Sequence, residues 1–302
     1  MWWQDNADDR LGLSEDGRER DPLRASEALE SRMKGRTVLV TGSTDGIGRQ
    51  TALQLAKRGA FVLVHGRSPE RGRRALEEIR RMSGSDRLEL FVSDLSSMAQ
   101  VRRLAADVAE RHDQLHVLIN NAGTFQRERT LTEDGLETTF AVNYMAPFLL
   151  THGLLDLLRR NAPARVINVA SAAHWNAHLD WRNLQGERDY DGFSAYASSK
   201  LALILFTYAL ARRLQGTGVT ANCLHPGVIR TKLLSAGFGD HPGGTPERGA
   251  RTSVYLACSP EVEQMSGRYF ERCTPISSSP SSYSQDLQER LWRVSEGLAG
   301  VG

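Results

Sequence analysis

The order of apolar and polar residues along the chain predicts strands and helices in alternation. Short β-branched or apolar runs, typical of buried strands, occupy 37–40, 61–64, 88–92, 115–119, 165–169 and 219–224. Between them, apolar residues recur at helical spacing near 49–58, 69–82, 98–112, 134–160 and 195–215. Since this alternation is typical of parallel strands joined by right-handed helical crossovers, we predict an α/β fold with a doubly wound parallel sheet and helices on both faces.

The ends of the chain and two internal segments differ from this pattern. Residues 1–33 mix acidic, basic and small polar residues, and we predict a disordered or loosely attached tail before a single domain of Rossmann type at 34–302. Segments 172–195 and 228–246 follow predicted strands and are expected to be substrate loops, because ligands bind at the carboxyl ends of such strands. The serine-rich run 277–282 is expected to be a surface loop before a C-terminal helix.

Composition restricts the class of protein. The 302 residues are 40% hydrophobic and 25% charged, which suits one large core. With 38 basic and 36 acidic residues the net charge is +2, so we expect no nucleic-acid partner. No apolar run is long enough for a transmembrane span. Three widely separated cysteines and no clustered histidines favour a reduced, cytoplasmic protein without a metal site, although His174 and His178 have the spacing of two ligands.

A glycine-rich turn follows the first predicted strand. It places Gly42, Gly46 and Gly48 where a phosphate could approach the backbone N–H groups of a helix N-terminus. The GxxxGxG spacing differs from GxGxxG, and glycines also occupy tight turns for purely structural reasons. The position between strand and helix favours dinucleotide binding, with Ser43, Thr44 and Ile47 as further contacts.

The end of the second predicted strand bears on the choice of dinucleotide. An acidic residue that would bind an adenosine ribose hydroxyl is missing there, and the sequence reads His65-Gly66-Arg67-Ser68. Because a guanidinium suits a 2′-phosphate, we predict NADP(H) rather than NAD(H), with Arg67 as the anchor. Alternatively Arg67 is simply an exposed loop residue, and Asp45 would repel a nearby phosphate.

Tyr196 and Lys200 are four residues apart on a predicted helix and therefore share a face. A nearby cation favours phenolate and lowers a pKa that is ordinarily about 10, so the pair could act as an acid and base near neutral pH. The spacing alone is common by chance. Its place downstream of the glycine turn makes the catalytic interpretation the stronger one.

Taken together, these motifs resemble the short-chain dehydrogenase/reductase family from Lys34 to about Phe270. The resemblance also rests on Asp94-Leu95, Asn120 to Gly123, Asn143, Ser171, and Pro226-Gly227 leading to Thr231. Within the family the chain is most similar to the retinol dehydrogenase-like branch and the WW-domain-containing oxidoreductase, through Leu184 to Glu187, Ser198 to Ala202 and Thr245 to Gly249.

The resemblance implies a set of roles. Tyr196 would exchange a proton with the substrate oxygen, Ser171 would bond that oxygen, and Lys200 would hold the ribose and lower the pKa of Tyr196. Asn143 would support a water that links Lys200 to solvent. The cofactor would also be contacted by Asp94 and Leu95 near the adenine, Asn121, Ala122 and Gly123 near the ribose, and Pro226, Gly227 and Thr231 near the nicotinamide. Alternatively, Asn120 to Gly123 stabilise the sheet, and Pro226-Gly227 only shape a turn.

The two substrate loops contain aromatic and apolar residues expected to line the open end of the site. They are His174, Trp175, His178 and Trp181 in the first loop, and Leu233, Leu234, Phe238 and His241 in the second. Such a lining suits a bulky hydrophobic ketone, aldehyde or alcohol. Trp175 and Trp181 could equally pack beneath the loop.

The sequence therefore predicts an NADP(H)-dependent oxidoreductase for a hydrophobic carbonyl or alcohol. One alternative is a cofactor-binding regulator or scaffold with little turnover. Another is a sugar-nucleotide epimerase or dehydratase, for which little chain is left after Thr231. The predicted helix from Ala195 is apolar around much of its circumference, which core burial or a homodimer contact would explain.

Overall fold

An eight-stranded sheet forms the centre of the computed structural model, which describes residues 33–301 apart from the side chain of Phe238. The strands are β1 (Thr37–Val40), β2 (Phe61–Gly66), β3 (Leu88–Val92), β4 (Val117–Asn120), β5 (Ala164–Val169), β6 (Val219–His225), β7 (Tyr269–Glu271) and β8 (Thr274–Ile276). Their spatial order is β3-β2-β1-β4-β5-β6-β7-β8, parallel except for the antiparallel β7–β8 pair. The predicted doubly wound parallel sheet is confirmed.

The predicted tail largely lies outside the described residues. Its last residue, Met33, is described and is buried against the core, because the chain already turns toward β1 at this point. The boundary predicted for the tail stays a prediction.

Helices flank the sheet in the described part of the chain. They are α1 (Gly46–Lys57), α2 (Pro69–Ser83), α3 (Met98–Arg111), α4 (Ala146–Arg160), α5 (Gly192–Arg213), α6 (Lys232–Phe238), α7 (Pro246–Cys258) and α8 (Gln285–Ala299). Several begin at a polar cap, as where the Ser68 and Ser97 hydroxyls accept from backbone N–H groups three residues later. The predicted helices are present, with ends that differ by a few residues.

The long helix predicted over 134–160 begins later than expected. Gly135 lies in a turn with φ of +73°, and helical structure begins only at Thr138–Phe140, where the Glu137 carboxylate accepts from the Thr139 and Phe140 N–H groups. A π-helical turn, Ala141–Met145, then leads into α4.

The strands alternate their side chains between two apolar layers. Leu39 and Leu118 face the side covered by α3, α4 and α5, whereas Val38, Val40 and Ile119 face the side covered by α1 and α7. Because both faces are buried, the strands are mostly apolar, and polar side chains inside them, such as Asn168 and Asn222, are buried and hydrogen-bonded.

Helix α5 is buried around almost its whole circumference. Its inner face packs on the sheet, and its outer face is covered by α8, where the Trp292 ring stacks on Phe206 at 5.7 Å and Arg213 lies 3.9 Å above the indole. The chain itself therefore covers the apolar stripe, and a homodimer stays a prediction. Among residues 33–301, α5 alone is long and apolar enough to cross a membrane by length and composition, and 78% of that apolar window is buried.

The serine-rich run 277–282 is the predicted surface loop only in part, because Ser277 and Pro280 are exposed whereas three of its serines are buried. Ser278, Ser279 and Ser282 are at most 3% exposed. The Ser278 hydroxyl lies 2.7 Å from the Tyr208 hydroxyl on α5 and 2.6 Å from that of Ser282, whose carbonyl accepts from Gln288 of α8. A polar run can be buried here because its hydroxyls satisfy one another and their neighbours.

Replacing Trp292 by alanine should lower the free energy of unfolding by about 3–5 kcal/mol, because the indole fills the space between α8 and α5. Leu298→Ala on the same helix, at a side chain that is 40% exposed, should cost less than about 1 kcal/mol. Urea unfolding measures both. Equal losses in the two variants would contradict the packing described for α8.

Candidate active site

The carboxyl ends of β1, β4, β5 and β6 meet at one edge of the sheet, around a cleft that opens to solvent. The cleft contains polar groups from strand ends and from α5 above a mostly apolar mouth. Its lining includes Ile47, Asn121, Gly123, Val169, Ala170, Ser171, Ala173, Tyr196, Lys200, His225, Pro226, Gly227, Val228, Ile229, Thr231, Leu233, Leu234 and His241. The edge is the one expected for ligands of a parallel sheet.

The turn between β1 and α1 depends on glycine at two positions. Gly42 has φ of +64°, and a Cβ added there would lie 2.9 Å from the Ala122 Cα atom. A Cβ at Gly48 would lie 2.3 Å from the Gly42 carbonyl oxygen and 2.4 Å from the Asn121 amide nitrogen. The helix N-terminus can approach the strand ends this closely because these side chains are missing.

This turn leaves backbone donors at the start of α1. The Gly46 N–H is bonded to the Asp45 carboxylate and the Arg49 N–H to the Asp45 carbonyl, whereas Ile47 and Gly48 lie in the first turn, where no intrahelical acceptor exists. Such N–H groups at the positive end of a helix dipole suit the phosphates of a dinucleotide. The residues present therefore fit the predicted cofactor.

His65 is a buried support of the glycine turn that the sequence analysis missed. Its Nδ1 accepts from the Gly42 N–H at 3.1 Å, so the proton is assigned to Nε2, which donates to the Ser93 carbonyl at 3.1 Å. Ser43 adds to this support, since its hydroxyl donates to the Val40 carbonyl and accepts from the His65 N–H. Burial lowers the pKa of His65 to about 4, so the ring is neutral at physiological pH.

The segment after β4 holds the glycine turn from the other side. The Asn121 amide donates to the Thr41 carbonyl at 2.8 Å and to that of Gly42 at 3.3 Å. The Thr41 hydroxyl accepts from the Asn121 and Ala122 N–H groups. The Asn121 side chain is thus turned toward the loop. Asn120 is buried in a polar ladder with Asn168, which agrees with the structural interpretation of that residue.

Charged residues surround the end of β2. Arg67 is exposed and has no ion-pair partner among the described residues. Asp45, predicted to repel a phosphate, lies 2.8 Å from Lys232 and 3.3 Å from Arg71. The hydrogen bond with Lys232 holds the pKa of Asp45 below its usual value. Its negative charge is consequently offset by two cations.

The other predicted adenine-side residues lie at the end of β3. The Asp94 carboxylate accepts from the N–H and hydroxyl of Ser96 at 2.9 and 2.8 Å, and Leu95 is buried in the core. Near β2, a Cβ added to Gly66 would lie only 2.3 Å from the methyl carbon of Thr44. Glycine at 66 therefore lets the end of β2 lie against the glycine turn.

Tyr196 and Ser171 meet in the cleft. Tyr196 is buried on α5, and the Ser171 hydroxyl is hydrogen-bonded to its phenol. The Ser171 oxygen also accepts from the Ala173 N–H at 3.2 Å, which leaves the hydroxyl proton available for donation. The predicted pair of oxygen-binding groups is therefore assembled at the end of β5.

Lys200 lies beneath Tyr196. Its Nζ donates to the Val169 carbonyl at 2.9 Å and lies 5.7 Å from the centre of the Tyr196 ring. Burial lowers the pKa of Lys200 to about 8. Burial also raises the pKa of Tyr196, and the Ser171 hydroxyl offsets only part of that rise. The protein groups alone therefore do not lower the pKa of Tyr196, contrary to the sequence prediction, because removal from water disfavours the phenolate.

Asn143 lies in the π-helical turn before α4, a type of distortion frequent at functional sites. Its Oδ1 accepts from the Thr124 N–H at 2.7 Å, and its Nδ2 donates to the Thr124 carbonyl and to the Ser199 hydroxyl. A Cβ added to the neighbouring Gly123 would lie 3.4 Å from Asn143 Oδ1 and 3.6 Å from Lys200 Nζ. Asn143 and Lys200 thus share one buried corner of the cleft.

The mouth of the cleft is built by the segment after β6. Pro226 and Gly227, whose φ is +89°, turn the chain there, and the Thr231 hydroxyl caps α6 by accepting from the Leu234 N–H. Leu233, Leu234 and His241 line the mouth as predicted, while the side chain of Phe238 lies outside the described part.

The first loop contributes less to the cleft than predicted. His174 is buried away from it, Trp175 is 51% exposed, and Trp181 packs against the core beneath Arg290. His178 lines a separate cleft beside Glu137. The 3₁₀ turn at Ala172–Asn176 causes this outcome, since it directs the chain toward the C-terminal segment. Only Ala173 of this loop lines the cleft.

Within residues 33–301, no group of three His, Cys, Asp or Glu side chains could hold a metal ion.

Phe125 is a further residue that the sequence analysis missed. Its ring lies 5.8 Å from that of Tyr196, and its Cδ2 atom would lie 2.9 Å from a Cβ at Gly237 of α6. It therefore contacts the catalytic helix and the mouth together. An aromatic residue two positions after the Asn120 to Gly123 motif was the only signal in the sequence.

The chain is similar to several known proteins. The family model for short chain dehydrogenase matches residues 36–240. Retinol dehydrogenase 13 of Mus musculus is 40% identical over 287 residues, which cover 88% of this chain and 84% of that protein. A solved structure of an uncharacterised protein from Mycobacterium Paratuberculosis has a TM-score of 0.75 at 32% identity, covering 89% of this chain and 95% of that one. The active-site complex of Pseudomonas aeruginosa RhlG with NADP has a TM-score of 0.65 at 29% identity, covering 80% and 96%.

The neutral state of His65 predicts a pH-dependent stability. Because its folded pKa of about 4 lies below the ordinary value of 6.5, the unfolded chain binds more protons between these values. The stabilisation is complete above pH 6.5 and is lost as the pH falls toward 4, amounting to about 3 kcal/mol.

His65→Asn, which keeps an acceptor for the Gly42 N–H, should reduce the slope of the unfolding free energy against pH. Urea titrations at several pH values measure it. His178→Asn, at an exposed side chain, is the control, and an unchanged slope in His65→Asn would contradict this assignment.

Proposed function

The chain belongs to the short-chain dehydrogenase family and is an oxidoreductase of the retinol dehydrogenase-like type, and from that premise we propose that it transfers a hydride between NADP(H) and the carbonyl or alcohol carbon of an apolar substrate. One observation carries the proposal. The Tyr196 phenol and the Ser171 hydroxyl lie together in a cleft directly above Lys200, beside a helix N-terminus with free N–H donors.

Two protein groups would bind and protonate the substrate oxygen. The Ser171 hydroxyl can donate to a carbonyl oxygen because its own oxygen already accepts from the Ala173 N–H. Burial raises the pKa of Tyr196, so the phenol is protonated at neutral pH and can give its proton to the same oxygen. This protonation state favours reduction of a carbonyl near pH 7. A bound nicotinamide would supply or accept the hydride.

Lys200 and Asn143 would support this exchange from below. One Lys200 N–H donates to the Val169 carbonyl, which leaves two for the ribose hydroxyls of a cofactor. Asn143 is held by three hydrogen bonds to Thr124 and Ser199, which gives it the rigidity needed to position a water. The bond to the Val169 carbonyl holds Lys200 at the end of β5. From there Lys200 would help to return a proton to Tyr196 after the phenol has given one to the substrate.

The charge around the glycine turn supports NADP(H) over NAD(H). Arg67 follows β2 and presents an exposed guanidinium, and β2 provides no carboxylate at that end. Lys232 and Arg71 neutralise Asp45, which removes the repulsion expected from the sequence. The similar RhlG structure holds NADP. A 2′-phosphate would bind Arg67 through charge-assisted hydrogen bonds.

The walls of the cleft support an apolar substrate. Val228, Ile229, Leu233 and Leu234 surround the mouth, and Phe125 lies behind Tyr196. Such a lining takes a hydrophobic body and leaves the polar groups to orient the reacting oxygen. Retinol dehydrogenase 13, which is 40% identical, makes retinoids the first class to test.

The rival functions find less support. A scaffold without turnover would need neither the bonded Ser171 and Tyr196 nor the fixed Lys200. In a sugar-nucleotide epimerase or dehydratase the residues after Thr231 would be expected to build a substrate-binding unit, whereas residues 232–301 form the mouth of the cleft, two short strands and the helices α7 and α8 that cover the sheet.

Tyr196→Phe should reduce turnover at least about a hundredfold while leaving NADPH affinity nearly unchanged, since only the proton donor is removed. Turnover is measured as NADPH oxidation with a panel of retinal and other hydrophobic aldehydes and ketones, and affinity by calorimetry. Tyr255→Phe, whose hydroxyl bonds Glu261 outside the cleft, should retain activity. Wild-type-like turnover in Tyr196→Phe would refute the role of the phenol.

Arg67→Asp should shift the ratio of kcat/KM for NADPH to that for NADH toward NADH by about ten- to a hundredfold, because a charged hydrogen bond is worth roughly 1.5–3 kcal/mol. Arg73→Asp makes the same change of charge at another exposed position and should leave the ratio unchanged. An equal shift in both variants would indicate a general field effect and remove Arg67 as the anchor.

A further inference from the structure

His174 is a buried histidine that the proposed mechanism does not use. It is 0% exposed, and both ring nitrogens are hydrogen-bonded. Nδ1 lies 2.7 Å from the Ser171 carbonyl oxygen, and Nε2 accepts from the Ser279 N–H at 3.0 Å. Since the backbone amide must be the donor at Nε2, the proton is on Nδ1, which donates to the carbonyl.

The peptide group that His174 contacts is also bonded on its other edge. The carbonyl of Ser171 and the N–H of Ala172 belong to one planar peptide unit. The Ala172 N–H donates to Nδ1 of His225 at 3.2 Å. His225 ends β6, is almost fully buried and lines the cleft. Two neutral imidazoles therefore hold this peptide plane together with the His174 backbone N–H, which donates to the Ser171 carbonyl at 3.3 Å. The plane lies directly after the residue that carries the substrate-binding hydroxyl.

The outer end of this arrangement is anchored in the C-terminal part of the chain. Ser279 caps the 3₁₀ turn Pro280–Tyr283, which together with Ser278 and Ser279 is here called the serine turn. In it, Ser278 bonds Tyr208 of α5, and the Ser282 carbonyl accepts from Gln288 of α8. The His174 ring also packs 5.0 Å from that of Tyr269 on β7. A segment about a hundred residues after Ser171 in sequence thus contacts it through a single side chain.

Resting on the proposed function, we propose that His174 is a positioning residue for the reaction: it links the Ser279 N–H to the Ser171 carbonyl and so fixes the direction of the Ser171 hydroxyl toward the substrate oxygen. The serine turn then belongs to the active site, although it does not touch the cleft. Rotation of the 171–172 peptide would move the Ser171 hydroxyl relative to Tyr196, and small displacements of reacting groups have large effects on rate.

Two substitutions separate the two hydrogen bonds. In His174→Asn the amide nitrogen replaces Nδ1 and can still donate to Ser171, whereas in His174→Gln the amide oxygen replaces Nε2 and can only reach Ser279. We expect kcat to fall by roughly tenfold in His174→Gln and by about threefold or less in His174→Asn, with NADPH affinity unchanged. Rates are referred to folded enzyme by measuring the unfolded fraction at the assay temperature.

A second pair tests the anchor at Ser279. Ser279→Pro removes the N–H, and its φ of −57° suits proline. Ser279→Ala keeps the N–H and removes only a hydroxyl that lies 3.3 Å from that of Ser281. We expect a loss of kcat of about threefold in the proline variant and less than twofold in the alanine variant. If Ser279→Pro fails to fold, the Asn and Gln variants decide the matter.

A readout without turnover separates this proposal from the proposed function. The ring Cζ signal of Tyr196 in protein labelled with ¹³C-tyrosine reports the hydrogen bond from Ser171, and we expect it to shift in His174→Gln but not in Ser279→Ala. If the wild type turns over no carbonyl substrate yet this shift is seen, the proposed function fails and the positioning role stands. Equal kcat and equal Tyr196 signals in the Asn and Gln variants would overturn the positioning role.

Discussion

The burial of both faces of the parallel sheet is the constraint on which the rest of the structure depends. Because α1 and α7 cover one face and α3, α4 and α5 the other, a polar side chain within a strand must be hydrogen-bonded inside the protein, as Asn168 is, and those that meet a ligand lie at the strand ends. The carboxyl ends of adjacent strands coincide, so Ile47, Asn121, Ser171 and Pro226, which are far apart in sequence, lie around one cleft.

The same burial sets the chemistry of the cleft. Removal from water lowers the pKa of Lys200 to about 8 and raises that of Tyr196, so both groups move toward their neutral forms. A tyrosine kept protonated suits proton donation, and an ammonium with one bond to Val169 keeps two donors for a ligand. The acid and its supporting cation therefore result from position within the fold, because the four-residue spacing by itself does not lower the pKa of Tyr196.

The sheet, the glycine turn and the pair of Tyr196 and Lys200 could be predicted from the sequence, because each depends on local patterns of spacing and residue type. Ser171 was assigned through the resemblance to a known family. The exceptions depend on contacts distant in sequence. Nothing near His65 indicates that its ring would accept from Gly42, and a serine-rich run has the composition of a loop although its hydroxyls are satisfied by Tyr208 and one another. Trp175 and His174 were assigned to the cleft because a short turn that redirects the chain has no signature of its own.

Helices α5 and α6, which both border the cleft, are held in different ways. Helix α5, which carries the catalytic tyrosine, packs between the sheet and α8, so its apolar residues are satisfied within the chain and its movement would disrupt the core. Helix α6 has no buried side chain among those described, and it is held by the Lys232–Asp45 ion pair and by Arg127, which donates to the Ala236 carbonyl. Exposed ion pairs contribute about 1 kcal/mol or less. Leu233 of α6 also packs against the cluster of Ala173, Tyr196 and Ala197, so the mouth of the cleft is held by apolar contact with the catalytic tyrosine as well as by these polar contacts.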